Sequence, residues 1–312
     1  MNTSLPGGVE PYMQDRSSVI TPSAPGRSTP SRAPEPISRL SSEAVTDLIE
    51  GNLIDASLTL GRSLDGVCFR GSDVTWVYTG VKSLSRVLKP RFAPEQVEDR
   101  VDEISACFRQ WDATVSWVIG PTAWPPNLGE VLSESGYGNS EQWVGMAGGL
   151  AHWACSPEPI TGFRVERVSD ARGLAAWAGL GDAPVKAADS KGDGGTNGVV
   201  EIFSPENAGG DARCRYYLGY LNGKPAVRGM AFVRGDTVGI HWVDTLLPCN
   251  DMGCDRLLVA RALNDAVVAG ATTAVAVVPD AVRWTLGEIG FKPYCQFRVY
   301  SWPPEPIRMP VH

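Results

Sequence analysis

Gly239-Ile240-His241-Trp242-Val243-Asp244-Thr245 reads as an apolar strand, and the elements on its C-terminal side decide the fold. A loop leads into a helix that begins near Arg256. A second strand spans residues 274–278, a short helix comes next, and Gly290-Phe291 introduces a last strand ending at Trp302. The same order stands earlier in the chain. Val74-Thr75-Trp76-Val77-Tyr78-Thr79 precedes a helix over residues 94–111, a strand at 115–119, a short helix at 127–133, Gly136-Tyr137 and a strand at 143–147. A unit written twice predicts an α/β protein of two similar halves, each a mixed twisted sheet flanked by helices.

Local patterns support the elements. Val97, Val101, Ile104, Phe108 and Trp111 fall at spacings of four, three, four and three, one stripe of an amphipathic helix. The later helix is apolar on more than one side (Leu257, Leu258, Val259, Ala262, Leu263, Ala266, Val267), which predicts deeper burial. Ala274-Val275-Ala276-Val277-Val278 is a continuous apolar run, as in a strand covered on both faces. Between the halves, residues 152–161 read as a linker, 163–168 as a strand, 171–180 as a helix and 181–212 as a long Gly-, Asp- and Asn-rich loop. Asn222-Gly223 predicts a tight hairpin between strands at 216–221 and 226–233. Arg234-Gly235-Asp236 reads as a β-turn.

Composition bounds the function. The net charge of −7 argues against a nucleic-acid surface, and no apolar run approaches the ~20 residues of a membrane span. Residues 1–44 are rich in Ser and Pro, cannot bury enough apolar area to offset ordering entropy, and read as a disordered tail. Residues 303–312 form a Pro-rich tail. Seven cysteines without a CxxC pair read as reduced thiols of a cytoplasmic protein. Three histidines, His152, His241 and His312, leave little for a metal site, and none is expected.

The order of elements from Gly162 to Trp302 resembles the GNAT (acyl-CoA N-acyltransferase) superfamily. The phrases carrying the likeness are Tyr217-Leu218-Gly219-Tyr220-Leu221-Asn222-Gly223-Lys224-Pro225, Val243-Asp244-Thr245-Leu246 and Glu288-Ile289-Gly290-Phe291 with Tyr300-Ser301-Trp302. Residues 45–150 resemble the degenerate partner domain of tandem-GNAT proteins, and residues 160–302 the GNAT domain proper. The resemblance implies acetyl-CoA or another acyl-CoA as co-substrate, transfer of its acyl group to an amine of a small molecule, and a monomer or homodimer.

In that superfamily the pyrophosphate lies on an Arg/Gln-x-x-Gly-x-Gly/Ala loop, where free N–H groups and the helix dipole favour an anion. The matching residues are Asn250, Asp251, Met252, Gly253, Cys254 and Asp255, followed by Arg256. Gly253 fits, whereas Asn250 replaces the Arg/Gln and Asp255 the small final residue. Two carboxylates near an anion each cost about 1–4 kcal/mol, which predicts weak CoA binding that Arg256 offsets in part. The loop at 82–92 lacks glycine, so no cofactor is expected in the first half. Backbone around Val243 and Thr245 would hold the pantetheine arm.

His241 falls where serotonin N-acetyltransferase-like members carry a basic His, and its type suits a general base near neutral pH. Strand alternation would put His241, Val243 and Thr245 on one face, with Trp242 and Asp244 on the other. Asp244 is a second acid/base candidate or an ion-pair partner. The usual acid Tyr is Leu286 here, leaving Tyr294 as the candidate acid, and the usual Asn before that helix is Pro279. Three readings stay open: conventional acyl transfer, CoA-independent chemistry (a lyase, cyclase or decarboxylase of specialised metabolism), and a non-catalytic binding protein.

Overall fold

The structure, a computed structural model, describes residues 37–63, 66–79, 84–150, 153, 157–181, 213–246, 249 and 252–303. The expected tails at 1–36 and 304–312, most of the expected loop at 181–212, and Asn250 and Asp251 lie outside the described residues.

A 22-residue helix, α1 (Ser42–Ser63), opens the fold. Its first turn corrects the expectation of a disordered tail reaching residue 44. Ser41 caps it, its Oγ accepting the Ala44 N–H at 3.2 Å. Val45, Ile49, Asn52, Leu53, Ala56 and Leu60 form its buried stripe. Gly51, Asn52 and two threonines dilute helix propensity there, so burial against the sheet holds the helix rather than intrinsic preference.

Strands β1 (Val67–Arg70), β2 (Thr75–Tyr78) and β3 (Arg86–Leu88) come next, then α2 (Val97–Gln110), β4 (Val115–Ile119), α3 (Leu128–Glu134) and β5 (Gly138–Gly149). The second half runs β6 (Phe163–Arg167), α4 (Ala171–Gly181), β7 (Cys214–Leu221), β8 (Lys224–Arg234) and β9 (Thr237–Thr245). It ends with α5 (Cys254–Val268), β10 (Thr273–Pro279), α6 (Arg283–Glu288) and β11 (Lys292–Trp302). Asn222 and Gly223 take φ of 50° and 82° in the β7–β8 turn, the left-handed pair that a two-residue hairpin needs.

All eleven described strands share one sheet, in the order β1-β2-β3-β4-β11-β5-β10-β9-β8-β7-β6. The expected α/β architecture of mixed sheet flanked by helices is present, with the strands of the two halves joined in one sheet. The last strand of each half crosses over: β11 lies between β4 and β5, and β5 between β11 and β10. The order reads the same from both ends once β6 is set aside, so β3 matches β9 and β4 matches β10. The sequence pairing of the 74–79 strand with β9 is thus one strand off. The missing strand, β3, lies inside the 82–92 stretch that the sequence pattern presents as a loop.

Among the described strands, only two neighbouring pairs are parallel, β3 with β4 and β9 with β10. Helices α2 and α3 cover one core and α5 and α6 another, on one side of the sheet. Helix α1 fills the opposite side, with α4 beside it.

Candidate functional site

Parallel strands β9 and β10 pair from Thr237↔Thr273 to Ile240↔Ala276 and then part. Each keeps its outer partner, so the gap is a V whose arms carry backbone groups facing one another. Two residues on, β9 bulges. The register with β8 shifts between Arg228 and Met230, and Trp242 takes φ of 49°. A bulge puts two residues opposite one and reverses the alternation beyond it.

That reversal corrects the face assignment. His241 turns towards α1, Val243 packs against the α5 core, and Asp244 reaches the α4 side. His241 is buried, its Nε2 2.8 Å from Asn52 Oδ1. Asn52 Nδ2 donates to the Phe232 carbonyl at 3.4 Å, so Oδ1 is the acceptor and Nε2–H the donor. Burial, and then the Arg86 cation, push the His241 pKa down to about 3. A ring that spends its Nε2 proton on Asn52 and resists protonation is a structural histidine. The expected base facing the cleft is not what this geometry presents. Gly239 is required beside it, because a Cβ there would overlap Asn52 Oδ1.

Asp244 Oδ2 accepts from Arg228 Nε at 2.8 Å and Nη2 at 2.7 Å, and Arg228 lies 4.9 Å from the Trp177 ring of α4. Asp244 therefore ties the end of β9 to α4 while its side chain stays half-exposed. Tyr294 packs with the α1 cluster on β11, and β5 separates that strand from β10. The structure does not bring Tyr294 and Asp244 to one arm of the V. Thr245 stays on the β8 ladder, opposite Val227.

The start of α5 lies beyond the V. Gly253 caps it with φ of 78°, and a Cβ there would meet the Arg256 guanidinium. The Arg256 N–H donates to Asp255 Oδ1 at 2.8 Å, so a side-chain carboxylate already occupies a donor that an anion would use. The Arg256 guanidinium pairs with Glu288 at the end of α6. Cys254 is a packed thiol; burial and the adjacent Cys249 push its pKa up to about 12. A groove of about 510 Å³ runs here, lined by Met252, Gly253, Arg256, Glu288 and the linker residues Glu158 and Ile160.

The matching gap in the first half is laced shut. Arg91 bridges to Trp124 beyond β3, with Phe92 N–H donating to the Trp124 carbonyl at 3.0 Å and Trp124 N–H to that of Pro90 at 2.9 Å. Glu50 of α1 accepts from Thr122 Oγ1 at 2.6 Å, and burial raises its pKa.

Sequence reasoning missed the other side of the open V. Arg86, at the start of β3, is buried, its guanidinium 5.2 Å from the Trp143 ring and 5.5 Å from the Trp242 ring. Burial lowers its pKa to about 10, which keeps it cationic at neutral pH. The Trp242 Nε1–H is buried with no partner among the described residues, a cost of about 1–3 kcal/mol. An arginine among apolar residues at the head of a three-residue strand was the only local signal. Among the described residues, no group of three or more His, Cys, Asp or Glu could hold a metal, and no helix is long and apolar enough to cross a membrane.

The same order of strands occurs twice with the last strands exchanged, and the second half carries the parallel pair that parts before a bulge and the glycine-capped helix beyond it; this is the fold of solved GCN5-related N-acetyltransferases. Solved structures agree. A GCN5-related N-acetyltransferase from Kribbella flavida matches with a TM-score of 0.55 at 20% identity, over 80% of this chain and 94% of that one. One from Sphaerobacter thermophilus matches with a TM-score of 0.51 at 14% identity, over 86% and 94%. A conserved protein of unknown function from Staphylococcus epidermidis matches with a TM-score of 0.53 at 14% identity, over 76% and 94%. No family model matches the sequence, and no curated protein matches it.

Proposed function

We propose that the second half transfers an acyl group from an acyl-CoA to an amine of a small molecule, in a cytoplasmic setting that fits the free thiols. The single observation that carries this is the parting of β9 and β10 beyond Ile240 and Ala276. Facing backbone groups at Val243 to Thr245 suit the amides of a pantetheine arm, and the groove at Met252, Gly253 and Arg256 suits the nucleotide end. Acyl-CoA supplies the activated acyl group; the chain orients it and excludes water.

The fit is partial. Asp255 and Glu288 each hold a group that a diphosphate would use, and this favours a second reading in which the same cleft works without CoA. Calorimetry with acetyl-CoA separates the two. Under the first reading the native protein binds with a dissociation constant above ~10 μM, about −7 kcal/mol, and Asp255→Ala tightens it. No binding by either protein rejects acyl-CoA as co-substrate.

His241 is assigned a positioning role, holding Asn52 and the strand beside the bulge. Asp244, half-exposed at the end of β9, becomes the candidate proton acceptor. Asp244→Asn should then lower turnover by about 10²- to 10⁴-fold, while His241→Gln acts mainly on stability.

A further inference from the structure

The cleft and the place just beyond it make opposite demands on a donor. Between β9 and β10 the arms part and leave backbone groups facing one another, which suits the amides of a pantetheine arm. The start of α5, where the diphosphate of coenzyme A would lie, is filled by the chain's own groups. The Arg256 guanidinium lies against Gly253 and is held by Glu288. The Arg256 N–H already donates to the Asp255 carboxylate at 2.8 Å. Glu158 of the linker adds a further negative charge to the same groove. A diphosphate and a 3′-phosphate would thus be brought against the carboxylates of Asp255, Glu288 and Glu158, each costing about 1–4 kcal/mol at close range.

The rim of the same cleft is apolar and bare. Met252, past the end of the β9 arm, is 41% exposed, and Val282 and Trp284, just past the end of the β10 arm at Pro279, are 47% and 69% exposed. Trp284 stands one helical turn before Glu288 on α6, so it extends the wall of the groove outward. The Arg283 guanidinium lies 4.6 Å from the centre of its ring. Exposed apolar side chains gathered beside a cleft mark a contact with another macromolecule, and tryptophan and arginine are the residue types that anchor such contacts.

A pantetheine arm need not arrive on a nucleotide. A carrier protein presents the same arm on a serine through one phosphodiester. The amides and the thioester are then kept, the diphosphate and the adenosine are absent, and a folded domain stands where the nucleotide would be. We infer that the acyl donor is the thioester of a phosphopantetheinyl carrier protein, which inserts its arm between β9 and β10 and docks on Met252, Val282 and Trp284. This rests on the acyl-transfer reading of the cleft and makes coenzyme A thioesters the poorer donors. In the transfer the amine attacks the thioester carbonyl, a C–N bond forms and the C–S bond breaks. Of the two protons lost by the ammonium, one goes to the departing thiolate and one to solvent, and the carrier leaves with a free thiol.

The test is calorimetry on the full chain, with a free-standing acyl carrier protein of fatty-acid synthesis as the probe. Its acetylated form is compared with its apo form, which lacks the arm, with S-acetylpantetheine and with acetyl-CoA. The acetylated carrier should bind roughly 10-fold or more tightly than either small thioester and than the apo form, a step of about 1.4 kcal/mol. Trp284→Asp and Val282→Asp, both at exposed positions, should each remove most of the carrier's advantage and leave S-acetylpantetheine binding unchanged. Acetyl-CoA binding as tightly as the acetylated carrier overturns the carrier as donor and leaves the acyl-CoA reading standing. Equal binding of the acetylated and apo carriers, or full carrier affinity in both variants, also overturns it. No binding of S-acetylpantetheine, acetyl-CoA or the acetylated carrier overturns the carrier and the acyl-transfer reading together.

Discussion

At the scale of single residues, His241 shows how tertiary contacts overrule residue type. An unfolded His titrates near 6.5, whereas burial and Arg86 put the folded value at about 3. Above pH 6.5 neither state binds the proton, so the group has no effect on stability. Between 6.5 and 3 the unfolded chain takes up a proton that the folded one refuses, and stability falls as the pH drops through that window. Urea midpoints measured from pH 7.5 to 4.5 should show this decline, and His241→Gln should flatten it by up to one proton. An unchanged slope would show that His241 titrates normally and is accessible. Gly239→Ala should destabilise by about 1–3 kcal/mol, because its methyl would overlap Asn52 Oδ1; equilibrium unfolding measures this.

Among the elements, α1 matters most to the site, although nothing in its local sequence marks it strongly. Its stripe includes Asn52, and two residues of one turn serve different gaps, Glu50 meeting Thr122 beside the closed one and Asn52 meeting His241 on the arm of the open one. Ile49 is 1% exposed in the cluster that α1 shares with β10 and β11. Ile49→Ala should therefore cost about 2–5 kcal/mol, read from chemical denaturation. A loss below about 1 kcal/mol, the size of a surface substitution, would mean that α1 is not docked as described. The bulge in β9 acts at the same scale: by setting Trp242 at positive φ it turns Val243 and Asp244 to faces that simple alternation assigns the other way.

For the whole molecule, the exchange of β5 and β11 makes the halves interdependent. Each half, cut free, would expose a strand that has lost both its neighbours from the other half and would leave a gap in its own sheet. Residues 37–150 and 157–303 expressed separately should give no cooperative thermal transition, and coexpression should restore one. A cooperative transition in either half alone would overturn this. The same interlocking brings Arg86 of one half against Trp242 of the other.

The amino-acid sequence by itself determined the strand at 115–119, the strand read at 163–168 to within one residue, helices α2 and α5, the Asn222-Gly223 hairpin and a glycine at the α5 start. These come from periodicity, turn chemistry and charge, which act over a few residues. It also carried the repeat, but one strand out of step, since β1 and β3 are only four and three residues long and hold no period. The exchange of β5 and β11, the reversal of faces at Trp242, the burial of His241 under α1 and the meeting of Arg86 with Trp143 and Trp242 were decided only by the tertiary structure. Each depends on groups far apart in the chain, His241 and Asn52 being 189 residues apart. No local pattern encodes such a pairing; it is set by which strands neighbour one another and by the space that α1 fills against the sheet.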